Sequence, residues 1–291
     1  MEKILKLGIP KGSLQNATIN LFKRSGWKIN VEGRSYFPDI NDNTIECALC
    51  RAQEMSINVE TGIIDVGLTG LDWVAEHESD IHVVTNLIYS KVSARPARWV
   101  IAVANDSSIQ SLEDLKGKTI STELVKFTRR FFKKRNIDVN VKFSWGATEA
   151  KIISGLADAI VEITETESTI KANNLKVIHE IMETNTQLIA NKKAWKKPEK
   201  REKIEQIAML LHGALVAQNL VGIKMNVPEN KIKQIVSLLP SLNAPTIASL
   251  YESKWFSVET IIDYKKVRDL IPQLLKTGAQ GIIEYPLNKV L

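Results

Sequence analysis

The sequence predicts an α/β protein in which a two-lobed core of alternating strands and helices precedes a small C-terminal βαββαβ module. Strand and helix patterns alternate from the first residues, a second such series follows, and the last part of the chain has a separate rhythm. The 291 residues, 44% hydrophobic and 25% charged, are typical of a globular chain with two or three domains. We expect residues 1–95 and 185–212 to form lobe I, 96–184 lobe II, and 213–291 the module.

Lobe I is predicted from strand and helix patterns that alternate along the first part of the chain. After the Gly12-Ser13 turn, Leu14, Ala17 and Leu21 recur at helical spacing and mark one apolar face. Such βαβα order predicts a parallel sheet with helices on both faces. The predicted strands cover residues 5–9, 44–49 and 64–69, and the predicted helices follow residue 13 and cover residues 55–61 and 70–76.

Lobe II is predicted from a second series of the same kind. Ser111-Leu-Glu-Asp-Leu indicates a short capped helix. The pattern strand, Ser-Leu-Glu-Asp-Leu-Lys-Gly-Lys, strand resembles the second lobe of type II periplasmic binding proteins. The predicted strands cover residues 98–104, 118–121 and 139–143, and the predicted helices cover residues 123–136 and 147–155.

The C-terminal module is predicted from its own element order. A helix from Pro198, a residue favoured in a first helical turn, is expected to return the chain to lobe I. The order βαββαβ that follows matches a ferredoxin-like module, a shape that assigns no function by itself. The predicted strands cover residues 220–226, 246–250, 255–262 and 281–286, and the predicted helices cover residues 228–238 and 264–277.

The charge distribution argues against a nucleic-acid partner. The net charge is +6, from 39 basic and 33 acidic residues, and two basic runs occupy residues 126–135 and 192–203. In the first run, Leu124, Phe127 and Phe131 form an apolar face at helical spacing, so the charges are predicted to face solvent. The sequence also lacks the interleaved aromatic platforms of nucleic-acid binders.

The cysteines and the N-terminus exclude other classes. Cys47 and Cys50 have C-x-x-C spacing, which can indicate a redox pair or half a zinc site, but no second ligand pair accompanies them. They lie in an apolar run, so we interpret them as packing residues. No apolar signal core begins the sequence and no stretch approaches the roughly 20 apolar residues of a membrane span, which predicts a cytoplasmic protein without a membrane partner.

The most informative stretch for function runs from residue 158 to residue 175. It predicts a buried strand, a hydroxyl-rich turn at residues 164–169, and a short helical turn at residues 170–175. A phosphate is favoured in such a place because the first amides of a helix have no internal partners and the helix dipole attracts anions.

Side chains of this stretch indicate a sugar phosphate. Thr166, Ser168 and Thr169 add hydroxyl donors, while Glu162 and Glu165 are placed to grip vicinal sugar hydroxyls or a magnesium ion. On local grounds alone, a Ser/Thr capping turn without a ligand is an equally good interpretation.

Several segments along the chain form motifs of one known family, in the order in which that family has them. They are residues 9–14, 60–73, 94–99, 155–162 with the hydroxyl-rich turn, 224–228, 239–246 and 278–284. Together they resemble the ATP phosphoribosyltransferase family, the first enzyme of histidine biosynthesis, in its long form. The resemblance covers essentially the whole chain and is specific because so many motifs match in order. The resemblance implies that adenine N1 of ATP displaces magnesium pyrophosphate from the ribose C1 of 5-phosphoribosyl pyrophosphate, giving phosphoribosyl-ATP. Such chemistry needs positioning and electrostatic stabilisation more than a nucleophilic side chain.

The resemblance also implies which residues bind the substrates. They are Lys11, Arg51, Asp72, Glu162, Glu165, Thr166, Glu167, Ser168 and Thr169. Lys11 and Arg51 would neutralise the pyrophosphate or ATP phosphates, and Glu162 would accept hydrogen bonds from the ribose hydroxyls; these three are the implied catalytic residues. The hydroxyl-rich turn would hold the 5-phosphate, and Asp72 would orient a substrate. Mg²⁺ would enter on the substrate phosphates and not on a set of protein ligands.

Three positions depart from the family pattern. Glu167 stands where relatives commonly have Gly in the phosphate turn, so either its side chain points outward or donor binding is weakened. Ser13 stands where many relatives have Arg, which removes one cation. Asn174 replaces another common Gly, with little consequence because Asn tolerates the left-handed region.

Regulation by histidine is a second implication of the resemblance. In long-form members the C-terminal module binds histidine and inhibits the enzyme, and the matching positions are Asn226, Leu242, Thr246 and Gly281. Some relatives carry Asp where this chain has Asn226, so histidine is expected to bind less tightly here. The resemblance implies an open, active dimer and a compact, inhibited hexamer, with edge strands of the modules as natural contacts. Judged from the residues alone, the four positions also fit ordinary turn and strand-end chemistry.

A competing hypothesis is a two-lobed binding module that senses a phosphorylated metabolite without chemistry. The appended module and the absence of a predicted signal peptide favour an enzyme over a transport receptor.

Overall fold

The fold has two units, the first with two five-stranded sheets and the second with one four-stranded sheet. The computed structural model describes residues 4–33, 35–89, 96–240 and 244–291. The first unit is Met1–Lys23 with Trp27–Ala208, and the second is Arg24–Gly26 with Met209–Leu291. Within the described residues, no helix combines the length and the apolar character that a membrane span requires.

Strands and helices alternate along the first unit as its sequence pattern predicts. It begins with β1 (Leu5–Lys11), α1 (Gln15–Ser25), β2 (Ile29–Asn30), β3 (Asp39–Ile40), β4 (Ile45–Arg51), α2 (Ala52–Thr61), β5 (Val66–Gly70), α3 (Leu71–His77) and β6 (His82–Leu87). It continues with β7 (Ala97–Ala104), β8 (Thr119–Thr122), α4 (Val125–Lys133), β9 (Asn140–Phe143), α5 (Ala150–Ile153), β10 (Ala159–Thr164), α6 (Ser168–Ala172) and β11 (Leu175–Thr184). It returns through β12 (Thr186–Ala190) and α7 (Lys192–Trp195) to α8 (Pro198–Val216), within which the boundary between the two units falls.

The sheet of lobe I is mixed, whereas the sequence predicted a parallel one. Its strand order is β4-β1-β5-β12-β6, with β1 parallel to β4 and β5. The returning strand β12 lies antiparallel to both β5 and β6. The prediction was wrong at this point because β12 enters the middle of the sheet directly from β11 of lobe II, with no helix between these two strands.

The sheet of lobe II has the order β11-β7-β10-β8-β9. Strands β10, β8 and β9 are parallel, while β7 is antiparallel to β10 and β11. Trp99, Phe131 and Phe132 belong to its apolar core. Lys126, Arg129 and Lys133 of α4 are exposed, as the spacing of its aromatic residues predicted, whereas Arg130 is half-buried against α3. Because β10, β8 and β9 are parallel, their carboxyl ends lie at one edge of the sheet.

Two helix predictions in lobe II need correction. The helix predicted for residues 147–155 is only α5, because Gly146 and Ala147 have positive φ angles of 62° and 47°. The helical turn predicted for residues 170–175 is α6, which ends before Asn174 turns left-handed at φ 56°. Strand β11 then begins at Leu175, and neither it nor β12 was predicted.

The second unit has the predicted βαββαβ order. It comprises β13 (Leu220–Pro228), α9 (Ile232–Leu238), β14 (Thr246–Ser249), β15 (Trp255–Asp263), α10 (Tyr264–Thr277) and β16 (Gln280–Pro286). Its antiparallel sheet has the order β14-β15-β13-β16, which is the ferredoxin-like arrangement. A Cβ atom on Gly222 would lie 2.2 Å from the Tyr285 ring, so only glycine lets this ring cross β13 toward Glu259, to which the Tyr285 hydroxyl donates.

The two cysteines pack as the sequence predicted. Cys47 is buried and Cys50 is half-buried, with its Sγ 3.4 Å from the Met55 Sδ. Burial raises the pKa of the Cys47 thiol to about 12 and that of Cys50 to about 11, so both are protonated at neutral pH.

Candidate active site

A cleft of about 940 Å³ opens in the first unit at the carboxyl ends of strands from both lobes. It has the size of a small-molecule site, and its lining combines cations, carboxylates, hydroxyls and aromatic rings. Eight sequence-predicted substrate positions line it: Lys11, Arg51, Asp72, Glu162, Glu165, Thr166, Ser168 and Thr169. The structure thus brings together residues that are up to 158 positions apart in the sequence.

Two cations stand side by side on the lobe I wall of the cleft. Lys11 ends β1 and Arg51 ends β4, and these residues are register partners in the parallel pair. Gly12 follows Lys11 at φ 109°, which turns the chain toward α1. Adjacent cations at the ends of parallel strands can neutralise a diphosphate or a triphosphate.

The hydroxyl-rich turn forms the opposite wall, between β10 and α6. The Thr166 hydroxyl donates to Ser168 Oγ at 3.1 Å, and the Glu167 amide donates to Thr164 Oγ1 at 2.7 Å. These contacts hold the turn so that Thr166, Ser168 and Thr169 all line the cleft. The arrangement presents hydroxyls and helix amides to an anion.

Glu162 lies on β10 just before this turn. Burial is the main cause that raises the pKa of its carboxyl to about 7. The Thr148 hydroxyl opposes the rise, while the carboxylates of Glu149 and then Glu123 add to it. A carboxyl with this pKa changes its ability to accept hydrogen bonds near neutral pH.

Glu167 is the one predicted substrate position that is not among the lining residues of the cleft. Its carboxylate accepts from Arg98 at 2.8 Å and pairs with Lys171 at 3.4 Å, while Arg98 also pairs with Glu180 at 3.0 Å. The hydrogen bond from Arg98 is the largest cause that lowers the pKa of Glu167, and the contact with Lys171 lowers it further. The sequence left two expectations for Glu167, an outward side chain or weakened donor binding. The structure agrees with the first, because the side chain points away from the cleft.

Asp72 lines the cleft but is only 4% exposed, and both of its carboxylate oxygens have partners in the protein. Trp99 Nε1 of lobe II donates to Oδ2 at 2.8 Å, and the Trp73 amide donates to Oδ1 at 3.0 Å. Burial raises the pKa of Asp72. A Cβ atom on Gly70 would lie 1.9 Å from Oδ1, so glycine leaves the room that this carboxylate occupies. The geometry assigns Asp72 to joining the lobes, a role that the sequence did not suggest.

The lobes are also joined through α3 and α4. Glu76 of α3 is buried and accepts from the amides of Lys126 and Phe127, at 2.9 and 2.8 Å. Its carboxylate therefore caps the first turn of α4 from outside that helix. Arg130 of α4 in turn donates to the carbonyl of Ala75.

Predicted regulatory positions lie in the sheet of the second unit. Asn226 on β13 is beside Gly281 on β16, where a Cβ atom would lie 3.5 Å from Asn226 Nδ2. Thr246 is on β14, with β15 between it and β13, so it does not adjoin the other two. Leu242, and Ala94 and Arg95 of the sequence motifs, lie outside the described residues.

Two aromatic residues of the site were not predicted. Tyr36 lines the cleft and its ring faces Lys11, while Trp145 follows β9 and faces Arg51. The sequence did carry one indication of Trp145: the aromatic residues of Phe143-Ser-Trp-Gly stand at the carboxyl end of a predicted strand. The partner cations are far away in the sequence, so the pairing itself could not be read from it.

Known proteins resemble this chain along its whole length. A family model described as ATP phosphoribosyltransferase matches residues 51–213, and one described as the HisG C-terminal domain matches residues 217–289. The chain is 70% identical to the ATP phosphoribosyltransferase of Desulfosudis oleivorans and 68% identical to that of Desulfatibacillum aliphaticivorans, with 100% of each chain covered. A solved structure titled as the ATP phosphoribosyl transferase (HisG:HisZ) complex from Thermotoga maritima is similar at 27% identity and a TM-score of 0.63. That similarity covers 73% of this chain and 99% of the other.

Proposed function

The chain belongs to the ATP phosphoribosyltransferase family, and from this premise we propose how its cleft carries out the reaction. The enzyme transfers the 5-phosphoribosyl group of 5-phosphoribosyl pyrophosphate to N1 of ATP and releases pyrophosphate, the first step of histidine biosynthesis. A binding module without chemistry is not favoured, because full-length relatives at 70% and 68% identity are named for this activity.

One observation supports the assignment of roles more than any other: the paired cations and the hydroxyl-rich turn line the same cleft. We assign the 5-phosphate of the donor to Thr166, Ser168 and Thr169, and its ribose hydroxyls to Glu162. This leaves Lys11 and Arg51 for the pyrophosphate and the ATP phosphates. The donor would then be held at both ends, with C1 between them.

The reaction needs no nucleophilic side chain, since ATP brings the attacking N1 and the donor brings the leaving pyrophosphate. The protein contributes alignment of N1 with C1 and stabilisation of the negative charge that grows on the leaving group. Lys11 and Arg51, adjacent on β1 and β4, supply the second contribution. Glu162, when ionised, accepts hydrogen bonds from the ribose hydroxyls and favours the positive charge that develops at the reacting sugar carbon.

We further propose that Mg²⁺ enters with the substrate phosphates, since Mg²⁺ usually keeps several waters and few protein ligands. Because ATP and the sugar donor are intracellular metabolites, we propose that the enzyme acts in the cytoplasm.

Regulation is proposed on the family match to residues 217–289. Histidine would bind at the module, near Asn226 and Gly281, and shift the protein from an active dimer toward an inhibited hexamer. Because Thr246 does not adjoin these two residues, a site that uses all three would take Thr246 from another subunit. The Thermotoga maritima complex is titled with a second protein, HisZ; this chain carries its own module, and we propose that it works without such a subunit.

The test of the proposed function is ultraviolet absorbance of phosphoribosyl-ATP formation from ATP and the donor. The assay contains Mg²⁺ and pyrophosphatase and is run with and without L-histidine. Product that histidine suppresses supports both the site and the regulation, whereas product indifferent to histidine removes only the regulatory proposal. Chelation of Mg²⁺ is expected to stop the reaction, and full activity without any divalent ion would contradict the magnesium proposal.

The assignment of Lys11 and Arg51 has its own test. Lys11→Ala and Arg51→Ala are each expected to lower kcat/KM about 100-fold, because each removes a charge that faces the phosphates. Lys6→Ala, which removes an exposed lysine near the start of the same strand, is the control and should retain full activity.

A further inference from the structure

Two exposed aromatic rings flank the paired cations of the cleft. The Lys11 ammonium lies 4.0 Å from the centroid of the Tyr36 ring, and the Arg51 guanidinium carbon lies 4.8 Å from the centroid of the Trp145 ring. Lys11 and Arg51 are register partners on β1 and β4, so each of these two adjacent cations has an aromatic ring of its own. Each cation that is assigned to a phosphate thus rests on an aromatic face.

Trp145 contacts its cation from the other lobe. It belongs to lobe II, yet its partner Arg51 belongs to lobe I, so the contact crosses the cleft. Its side chain is 62% exposed, and the Phe143 ring meets it at 6.0 Å in an edge-on arrangement that leaves a face of the indole available. A large exposed ring that contacts a cation of a ligand cleft indicates a binding surface.

The loop that carries Trp145 is joined to its own sheet and has an unusual backbone. The Ser144 amide donates to the carbonyl of Thr122 at 3.0 Å, which ties the loop to the end of β8. Directly after Trp145, Gly146 and Ala147 both have positive φ, a costly conformation for alanine. Such local strain is concentrated at functional sites, where it positions a side chain.

We propose that Trp145 is the platform on which the adenine ring of ATP stacks, and that the base takes the place of the Arg51 guanidinium. Arg51 would then turn to the phosphate chain of the same nucleotide. This inference rests on the proposed function, because it assumes that ATP binds in this cleft. The exchange is favourable because a charge-assisted contact of a guanidinium with phosphate is stronger than an exposed cation–π contact. The stacked base then restores the lost contact on the indole face.

Trp145 fits the reaction better than Tyr36 does. Thr148, in the same loop as Trp145, lies beside Glu162, the group assigned to the ribose of the donor. A base stacked on Trp145 therefore lies near the ribose carbon that N1 attacks. Tyr36 is in lobe I, where its carbonyl accepts from the amide of Leu49 on β4, whereas Glu162 is on β10 of lobe II.

The kinetic test compares Trp145→Ala and Trp145→Phe with the wild-type protein. Trp145→Ala is expected to raise the KM for ATP about tenfold or more, as alanine substitution at a stacking position does, and to change the KM for the sugar donor by less than about twofold. Trp145→Phe keeps an aromatic face and should stay within about threefold of wild type for ATP. An unchanged KM for ATP in Trp145→Ala, or equal rises in both KM values, would overturn the proposal. So would a rise in the KM for ATP that is confined to Tyr36→Ala.

A binding test separates this inference from the proposed function. ATP should quench tryptophan fluorescence of the wild-type protein by stacking on Trp145, and inorganic tripolyphosphate, which has no base, should not reproduce that quench. Trp195→Phe is the matched control, because Trp195 also lies under a guanidinium, that of Arg201 at 4.9 Å, but Arg201 does not line the cleft whereas Arg51 does. The quench is expected to persist in Trp195→Phe and to lose its larger part in Trp145→Phe, with any remainder due to Trp73 and Trp99, which line the cleft. If wild type makes no phosphoribosyl-ATP, the proposed function fails, and the inference about Trp145 still stands or falls by whether Trp145→Phe loses the quench.

Discussion

Glu167 shows at the scale of one residue how a substitution can be absorbed by its surroundings. Its φ of 59° lies in the left-handed region, where glycine is free and other residues lose roughly 1 kcal/mol. Two partly exposed ion pairs, to Arg98 and Lys171, hold the carboxylate and contribute about 0 to 1 kcal/mol each. Strain and pairing therefore nearly cancel, and the turn keeps its shape with a carboxylate beside the phosphate site.

The first prediction concerns the charge of Glu167. Glu167→Gly and Glu167→Gln both remove a negative charge next to the hydroxyl-rich turn, so each should lower the KM for the sugar donor about threefold. Glu167→Gly relieves the strained φ and Glu167→Gln does not, so the pair separates charge from conformation. Steady-state kinetics with saturating ATP measure the effect. A lower KM in Glu167→Gly alone would show that backbone strain, and not charge, limits donor binding.

The second prediction concerns the protonation of Glu162. Burial raises its pKa to about 7, so the native protein holds this proton to higher pH than an unfolded chain, whose glutamate has a pKa near 4.5. Between these two pH values the native state binds more protons than the unfolded chain, so the free energy of unfolding decreases as pH rises. The same ionisation makes Glu162 a better hydrogen-bond acceptor for the ribose hydroxyls. The KM for the donor should therefore fall as pH increases from about 6 to about 8.

The control for this prediction is Glu162→Gln. It should raise the donor KM about 10- to 100-fold at pH 8, because a charge-assisted hydrogen bond is lost, and it should abolish the pH dependence between 6 and 8. A pH profile that is unchanged in Glu162→Gln would assign the titration to another group.

At the scale of elements, the junction of α3 with α4 holds the two lobes in register. Glu76 is 5% exposed and satisfies two amides of the first turn of α4, whereas Glu78, near the same helix end, pairs with Arg130 at 3.3 Å and is 68% exposed at its side chain. The buried carboxylate is therefore expected to matter far more than the exposed one.

The third prediction follows from that contrast. Glu76→Ala leaves two amides without their acceptor and should lower the free energy of unfolding by about 2 kcal/mol or more, which corresponds to several degrees in melting temperature. Glu78→Ala should cost about 0.5 kcal/mol or less. Scanning calorimetry of both variants measures the difference. Equal melting temperatures would mean that solvent replaces the Glu76 cap at no cost.

Elements were predictable from the sequence where local signals agreed. Helix α10 begins and ends at the predicted residues because Asp263 caps the Lys265 amide and Gly278 ends the helix at φ 111°. Strand β11 was missed because its burial does not alternate and it contains two irregularities in its pairing with β7. Strand β12 is buried along its length, so its position depends on the sheet that receives it and not on its own pattern.

For the whole molecule, the sequence predicted the composition of the site better than its internal contacts. Lys11, Arg51 and the hydroxyls of Thr166, Ser168 and Thr169 were predicted because family motifs coincide with predicted strand ends, and all five residues line the cleft. The interlobe contacts, Asp72 with Trp99 and Arg51 with Trp145, join residues that only the folded chain brings together. No local pattern specifies such contacts, which depend on the relative placement of two sheets.

The last prediction treats catalysis and regulation as properties of one molecule. If histidine binds near Asn226, then Asn226→Asp adds a carboxylate for its ammonium group, and the half-inhibitory histidine concentration should fall about tenfold. Gln273→Glu is the matched control, because it likewise converts an amide to a carboxylate in the same unit, but on the exposed face of α10 and not in the sheet. Histidine titration of activity gives the inhibition, and sedimentation velocity at each concentration gives the oligomeric state. Because histidine binding and assembly are coupled, tighter binding in Asn226→Asp should lower the histidine concentration needed for assembly and the concentration needed for inhibition by the same factor. A variant that binds histidine more tightly without a matching change in assembly would separate inhibition from the hexamer.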